Sequence, residues 1–285
     1  MPVALMWPGP LAHEFVRNAA IAGGLTAVSA GLVGWFVVLR NQVFAADALS
    51  HVALTGGLGA LAYGLGAGVG VYAGTMGLGV VLGLLGGRLA RAGDTVIGIV
   101  FAWVLGLGAY FLSVFARGAS SGDGAAAVRV LFGSLFGIGA GQVRLTAWVT
   151  LITVGGLMLV ARPLLFATVD PEVARAQGVP VKAVEVVFLA LLGLAVAQAV
   201  QVVGTLLLLA LVATPAAAAQ RLTTRPWRAM WASAAIALVA VWAGITISYL
   251  RADLPPSFVI VTLVVAAYLV TLALCRPGRA SKRPL

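Results

Sequence analysis

The chain has 285 residues, 62% of them apolar and 9% charged, with a mean hydropathy of +1.09 and a formal net charge of +10. A water-soluble domain is excluded, because too little polar surface exists to coat one, so the chain belongs in a bilayer. No period-2 alternation with aromatic girdles occurs, which speaks against an outer-membrane barrel, and the positive charge is grouped in short loops, a pattern of membrane topology rather than of nucleic-acid binding.

A spanning helix needs about 20 mostly apolar residues, and nine such segments lie along the chain, predicting an all-α, polytopic bundle in one transmembrane domain (1–285). The first covers 18–39. No basic region precedes an apolar stretch at the start of the chain, so the first span serves as its own insertion signal. The second, 46–66, opens with "ADALSHVALTGG" and holds two ionisable residues, Asp47 and His51, spaced so that they share one helix face. The third, 67–87, is glycine-rich ("GLGAGVGVYAG", "GLGVVLGLLGG"), which lets helix backbones approach closely in lipid. No GxxxxGK[ST] phosphate loop occurs, so any ATP hydrolysis belongs to another chain.

Arg88 and Arg91 lie before the fourth span, 95–116, whose start carries Asp94 as a cap or ion-pair residue. After the fifth, 145–161, a polar stretch bears Arg162, Arg175 and Lys182. Within it "DPEVARAQGVPV" predicts a short helix: Asp170 caps it, Pro171 takes the first position, "EVARAQ" propagates it, and Gly178 with Pro180 stops it. Spans six and seven, 184–200 and 201–219, have almost no loop between them, as do spans two and three. Either pair read as one broken helix reduces the count to eight. Arg221, Arg225 and Arg228 fill the next loop, before 228–249 and 256–275.

The tail, 276–285, carries Arg276, Arg279, Lys282 and Arg283. Positive loops mark the cytoplasmic side, which places the C-terminus inside and, with nine crossings, the N-terminus outside. Cys275 is the lone cysteine, so disulfide and cysteine-rich metal sites within one chain are excluded. Glu14, Asp123, Asp170, Glu172 and Asp253 fall at loops or helix ends, and Glu185 opens a span.

An ionisable pair inside a membrane faces the bundle interior or a water-filled path. Asp47 and His51 admit three readings: a cap with a hydrogen-bonded histidine, a proton relay, or a metal site suited to zinc, manganese or ferrous iron. Two ligands are fewer than tight structural zinc takes, whereas a transport site must release its ion. An enzyme is disfavoured, because Ser50 and His51 are adjacent and point to different helix sides.

"DALSHVAL" (47–54) resembles the D-[AT]-[IL]-[SA]-H-A-x-L motif of the membrane-spanning subunits of ATP-binding-cassette importers for zinc, manganese and iron. Further blocks follow in that family's order: "GDTVIGIVFAWVLGLGAYFLS" (93–113), "VRVLFGSLFGI" (128–138), "DPEVARAQGVPV" (170–181), "VGTLLLLALVATPAAAAQRLTTRPWRAM" (203–230) and "LPPSFVIV" (254–261). The resemblance implies that Asp47 and His51 line the ion path, and that two permeases form a homodimeric pore. It also implies a cytoplasmic ATP-binding subunit, an extracytoplasmic metal-binding protein that delivers the ion, and no permanently bound cofactor. Asp170, Pro171, Glu172, Val173, Ala174, Arg175, Ala176, Gln177 and Gly178 would form the coupling helix that docks on the ATPase. The chain departs from the pattern at Ala46, often glycine, at Val52, often alanine, and at Thr55, proline in many manganese-type members. The rival reading is a proton-coupled secondary transporter with Asp47 and His51 as relay. It would run without an ATPase.

Overall fold

The computed structural model describes residues 13–92, 94–118, 133, 135–205, 208–251 and 253–274. Asp123, Cys275 and the basic tail lie outside the described residues, as do the side chains of Arg88, Arg91 and Asp94. Ten α-helices and no strand occur among the described residues. They are α1 (Glu14–Leu39), α2 (Val43–Ala62), α3 (Ala67–Ala92), α4 (Asp94–Gly118), α5 (Ala140–Val169), α6 (Pro171–Ala176), α7 (Val181–Val203), α8 (Leu208–Leu222), α9 (Pro226–Leu250) and α10 (Pro256–Leu274).

Each predicted span overlaps one of these helices for most of its length. Seven are long and apolar enough to cross a bilayer; within α4 the stretch Gly98–Val114, and α8, are shorter apolar helices. Among the boundaries that differ from the sequence reading, three bear on the site and its packing. Helix α2 begins at Val43 rather than 46, because Val43–Ala45 continue the apolar run. Helix α5 runs through Pro163 to Val169 instead of ending at 161, since a spanning helix tolerates an interior proline when neighbours re-satisfy the freed carbonyl. Spans six and seven part at Gly204, not at 200, where the backbone turns to φ 97°. That sign of φ suits glycine.

Contacts along α1 give the chain direction. Asn18 Nδ2 donates to the Ile138 carbonyl (3.3 Å) at one end, and Arg40 Nη1 donates to Thr168 Oγ1 (3.0 Å) at the other, so α5 runs parallel to α1. Helix α7 runs against it, with Gln198 beside Thr26 and Phe188 beside Phe36. Helix α9 does the same, as Ser233 Oγ donates to the Gly31 carbonyl (2.8 Å) and Trp242 Nε1 to that of Ala20 (3.1 Å). The α1–α2 turn, α6 and the 223–225 loop therefore share one end of the bundle. Arg175, Lys182, Arg221, Arg225 and Arg228 gather there.

Helices α1 and α7 are mostly buried and form the centre, while α3 and α10 expose most of their length. Exposed apolar faces suit lipid, so closeness inside the bundle comes from small residues. At Gly34 a Cβ would collide with the Val212 carbonyl, which fixes how near α8 lies to α1. A buried amide adds a polar tie: Gln198 Nε2 donates to Thr26 Oγ1 (3.0 Å) and Thr150 Oγ1 (2.8 Å), joining α1, α5 and α7. Such bonds between membrane helices are worth about 0.6 kcal/mol on average.

Candidate functional site

Helix α1 stops because Asn41 takes the left-handed conformation (φ 53°) that asparagine tolerates better than most residues. Gln42 N then donates to the Val37 carbonyl (2.8 Å) and Asn41 N to that of Val38 (3.2 Å), closing the C-terminal turn. Helix α2 starts at the next residue. At 1.5 Å per residue, Asp47 stands roughly 6 Å and His51 roughly 12 Å along it. His51 is therefore more than two turns inside the helix, deeper than a start at 46 predicts.

Asp47 is half-buried and lines a hollow of about 340 Å³ with Asn41, Val43, Phe44 and Leu209, the last from the start of α8. Ser50 Oγ donates to the Asp47 backbone carbonyl (2.7 Å), so the serine is occupied by its own helix. His51 is also half-buried. Its imidazole meets the Phe101 ring edge-on, with centroids 4.9 Å apart and planes at 80°. Among the described residues neither the Asp47 carboxylate nor the His51 imidazole has a hydrogen-bond or ion-pair partner. A carboxylate and an imidazole left unpaired on one stripe of an apolar bundle can take up a cation as two hard-to-borderline ligands.

One turn on, Thr55 continues the stripe and donates through Oγ1 to the Val104 carbonyl of α4 (3.1 Å). Gly108 lies against the same hydroxyl; a Cβ there would come within 2.7 Å of it. Phe101, Val104 and Gly108 thus make α4 the wall over His51 and Thr55. Among the described residues no group of three or more His, Cys, Asp or Glu side chains stands close enough to hold a metal. Asp47 and His51 are therefore a pair and not a complete coordination shell among the described residues.

The short helix α6 has the local structure its sequence predicts. Asp170 Oδ1 accepts from Glu172 N and Val173 N (both 3.0 Å), and Pro171 opens the helix. Gly178 (φ 83°) closes it while Val179 N donates to the Ala174 carbonyl (3.0 Å). Ala174 is fully buried, whereas Pro171, Glu172, Val173, Arg175, Ala176, Gln177 and Gly178 are exposed. The helix is pinned by one small residue and turns its remaining surface outward. It lies at the Arg40 end of the bundle.

Sequence reasoning missed Arg40, Thr168 and Phe101. Arg40 had a signal: it is a lone charge between two spans, outside the basic clusters. Its partners are far along the chain and left no local pattern.

The ABC 3 transport family model matches residues 12–275. The manganese transport system membrane protein MntC of Halalkalibacterium halodurans is 30% identical over 242 residues, 84% of this chain and 80% of the relative. The chelated iron transport system membrane protein YfeD of Yersinia pestis is 29% identical over 206 residues, 72% of this chain and 67% of that one. Among solved structures, PsaBC from Streptococcus pneumoniae in complex with Fab matches with a TM-score of 0.77 at 26% identity, covering 91% of each chain. This chain belongs to the ABC 3 transport family, a family of metal-transport permeases.

Proposed function

We propose that this chain forms the translocation path of an ATP-driven importer of divalent transition-metal ions, and that Asp47 and His51 are the ion's stopping place. The observation that carries the reading is the unpaired carboxylate and imidazole one turn apart on α2, the carboxylate lining a hollow beside the α1–α2 turn and the imidazole packed on Phe101. Two ligands hold an ion weakly enough to let it go, and water or a second copy of the chain completes the shell. The relatives named above favour manganese or iron as the cargo over zinc.

The basic residues gathered at the Arg40 end support placing that end, and with it the C-terminus, in the cytoplasm. Exposed α6 at the same end is then the surface on which an ATP-binding subunit docks, with Glu172, Val173, Arg175 and Gln177 as its contact residues. An extracytoplasmic metal-binding protein delivers the ion at the opposite end. A second copy of the chain forms the other half of the pore.

The test is cellular uptake of labelled manganese, iron and zinc by the intact chain and by Asp47→Ala and His51→Ala, with membrane levels followed for each. Loss of even an outer partner of a metal ligand costs about 10–100-fold, so loss of a ligand should bring uptake of one metal to background at unchanged protein level. Unchanged uptake in both variants would remove the site.

A further inference from the structure

Arg40 sits where α1 ends, yet its side chain leaves the turn and reaches between α5 and α7. Nη1 donates to Thr168 Oγ1 (3.0 Å), and Thr168 in turn donates to the Leu164 carbonyl of its own helix. Nη2 stands 3.5 Å from Glu185 Oε1, with 13% of the arginine side chain and 19% of the glutamate exposed. The guanidinium carbon lies 5.7 Å from the centre of the Phe188 ring. A planar, always-charged fork suits such a site better than a lysine would, since it can serve two partners and an aromatic face together.

The two polar partners have a particular place in the chain. Thr168 lies two residues before Asp170, the cap of α6, and Glu185 lies in the first turns of α7, which follows α6. Arg40 therefore holds the strand of chain entering α6 and the helix leaving it. If α6 were displaced relative to α1, either the guanidinium would lose partners in a largely desolvated site, a costly outcome for a buried charge, or Arg40 would move with it. Behind Arg40 the connection is stiff. The turn to α2 is three residues long and closed by two backbone hydrogen bonds, and Asn41, its next residue, lines the same hollow as Asp47.

We infer that Arg40 is a positioning residue that passes movement of α6 to the α1–α2 turn and thereby reshapes the Asp47 hollow. The inference rests on reading α6 as the docking site of an ATP-binding subunit. Contiguity runs from Thr168 and Glu185 through Arg40 to Asn41 and then Asp47. It needs no contact between Arg40 and the ion.

The experiment uses the complete transporter in lipid vesicles, with the ATP-binding subunit and the metal-binding protein, and reads manganese moved per ATP hydrolysed. For Arg40→Gln and Glu185→Gln the expected result is continued ATP turnover with about a tenfold lower ratio, within the range of coupling between linked sites. The exchanged pair Arg40→Glu with Glu185→Arg should recover much of that ratio. An unchanged ratio accompanied by lower protein yield or melting temperature would reduce Arg40 to a brace and overturn the inference. Co-purification of the ATP-binding subunit with a Glu172→Ala, Arg175→Ala variant separates the two ideas. Undiminished capture there would overturn the docking reading of α6 and the inference with it. Lost capture there together with an unchanged ratio at Arg40 would overturn the inference alone.

Discussion

Helix α2 has two contrasting faces. Toward α3 it presents Gly56, and a Cβ there or at Gly70 would strike the other's carbonyl oxygen, so the two backbones touch. Toward α4 it presents His51 and Thr55, met by a phenylalanine ring, a carbonyl and a glycine, with Asp47 one turn earlier beside the hollow. The first face sets distance by omitting side chains and has nothing that can adjust. The second is built of rotatable groups, with Asp47 beside a hollow, and the proposed ion site needs that freedom if an ion is to arrive and depart. One helix can thus be anchored on one side and adaptable on the other.

The largest effect should come from breaking the rigid face. Gly70→Val would drive side-chain atoms into the Gly56 carbonyl and the Ala60 Cβ, the latter 2.6 Å from an ideal Cβ at that position. Overpacking costs about 1–3 kcal/mol or more where nothing can yield, so the yield of monodisperse protein extracted from membranes should fall several-fold. Normal yield and transport would show that the α2–α3 contact is not fixed. Phe101→Ala tests the adaptable face with a smaller effect. An aromatic pair is worth about 0.5–1.5 kcal/mol, so freeing the imidazole should raise the KM for metal uptake by a few-fold while yield stays near normal. A fall in yield matching that of Gly70→Val would erase the contrast. The smallest effect belongs to Asp170→Ala, remote from both faces. Loss of an N-cap costs about 1 kcal/mol, so hydrogen exchange should quicken at 172–176 and stay unchanged along α2.

What could be read in advance follows from the range of the interactions. Helix α6 was legible to within a residue or two, because its cap, first proline and stopping glycine act within a few positions of one another. The spans were legible as segments, since apolar length is itself the physical requirement. Their ends were less so: nothing local says that α5 continues past Pro163, since a proline is an ordinary stop signal that a spanning helix can nevertheless carry. Asp47 and His51 could be placed on one face from spacing alone. Phe101, which walls the site, and Arg40, which meets Thr168 from 128 residues away, depend on how helices pack. Helix packing leaves no periodic trace in a chain whose segments are apolar on nearly every side.

Of the seven long apolar helices α2 is the least apolar, as a helix carrying Asp47 and His51 must be. Only Arg40, Asn41 and Gln42 separate it from strongly apolar α1. A three-residue connection should make the two insert together, with α1 drawing in a partner that would insert poorly by itself. Lengthening that connection would delay membrane integration of α2 before any question of ion movement arose.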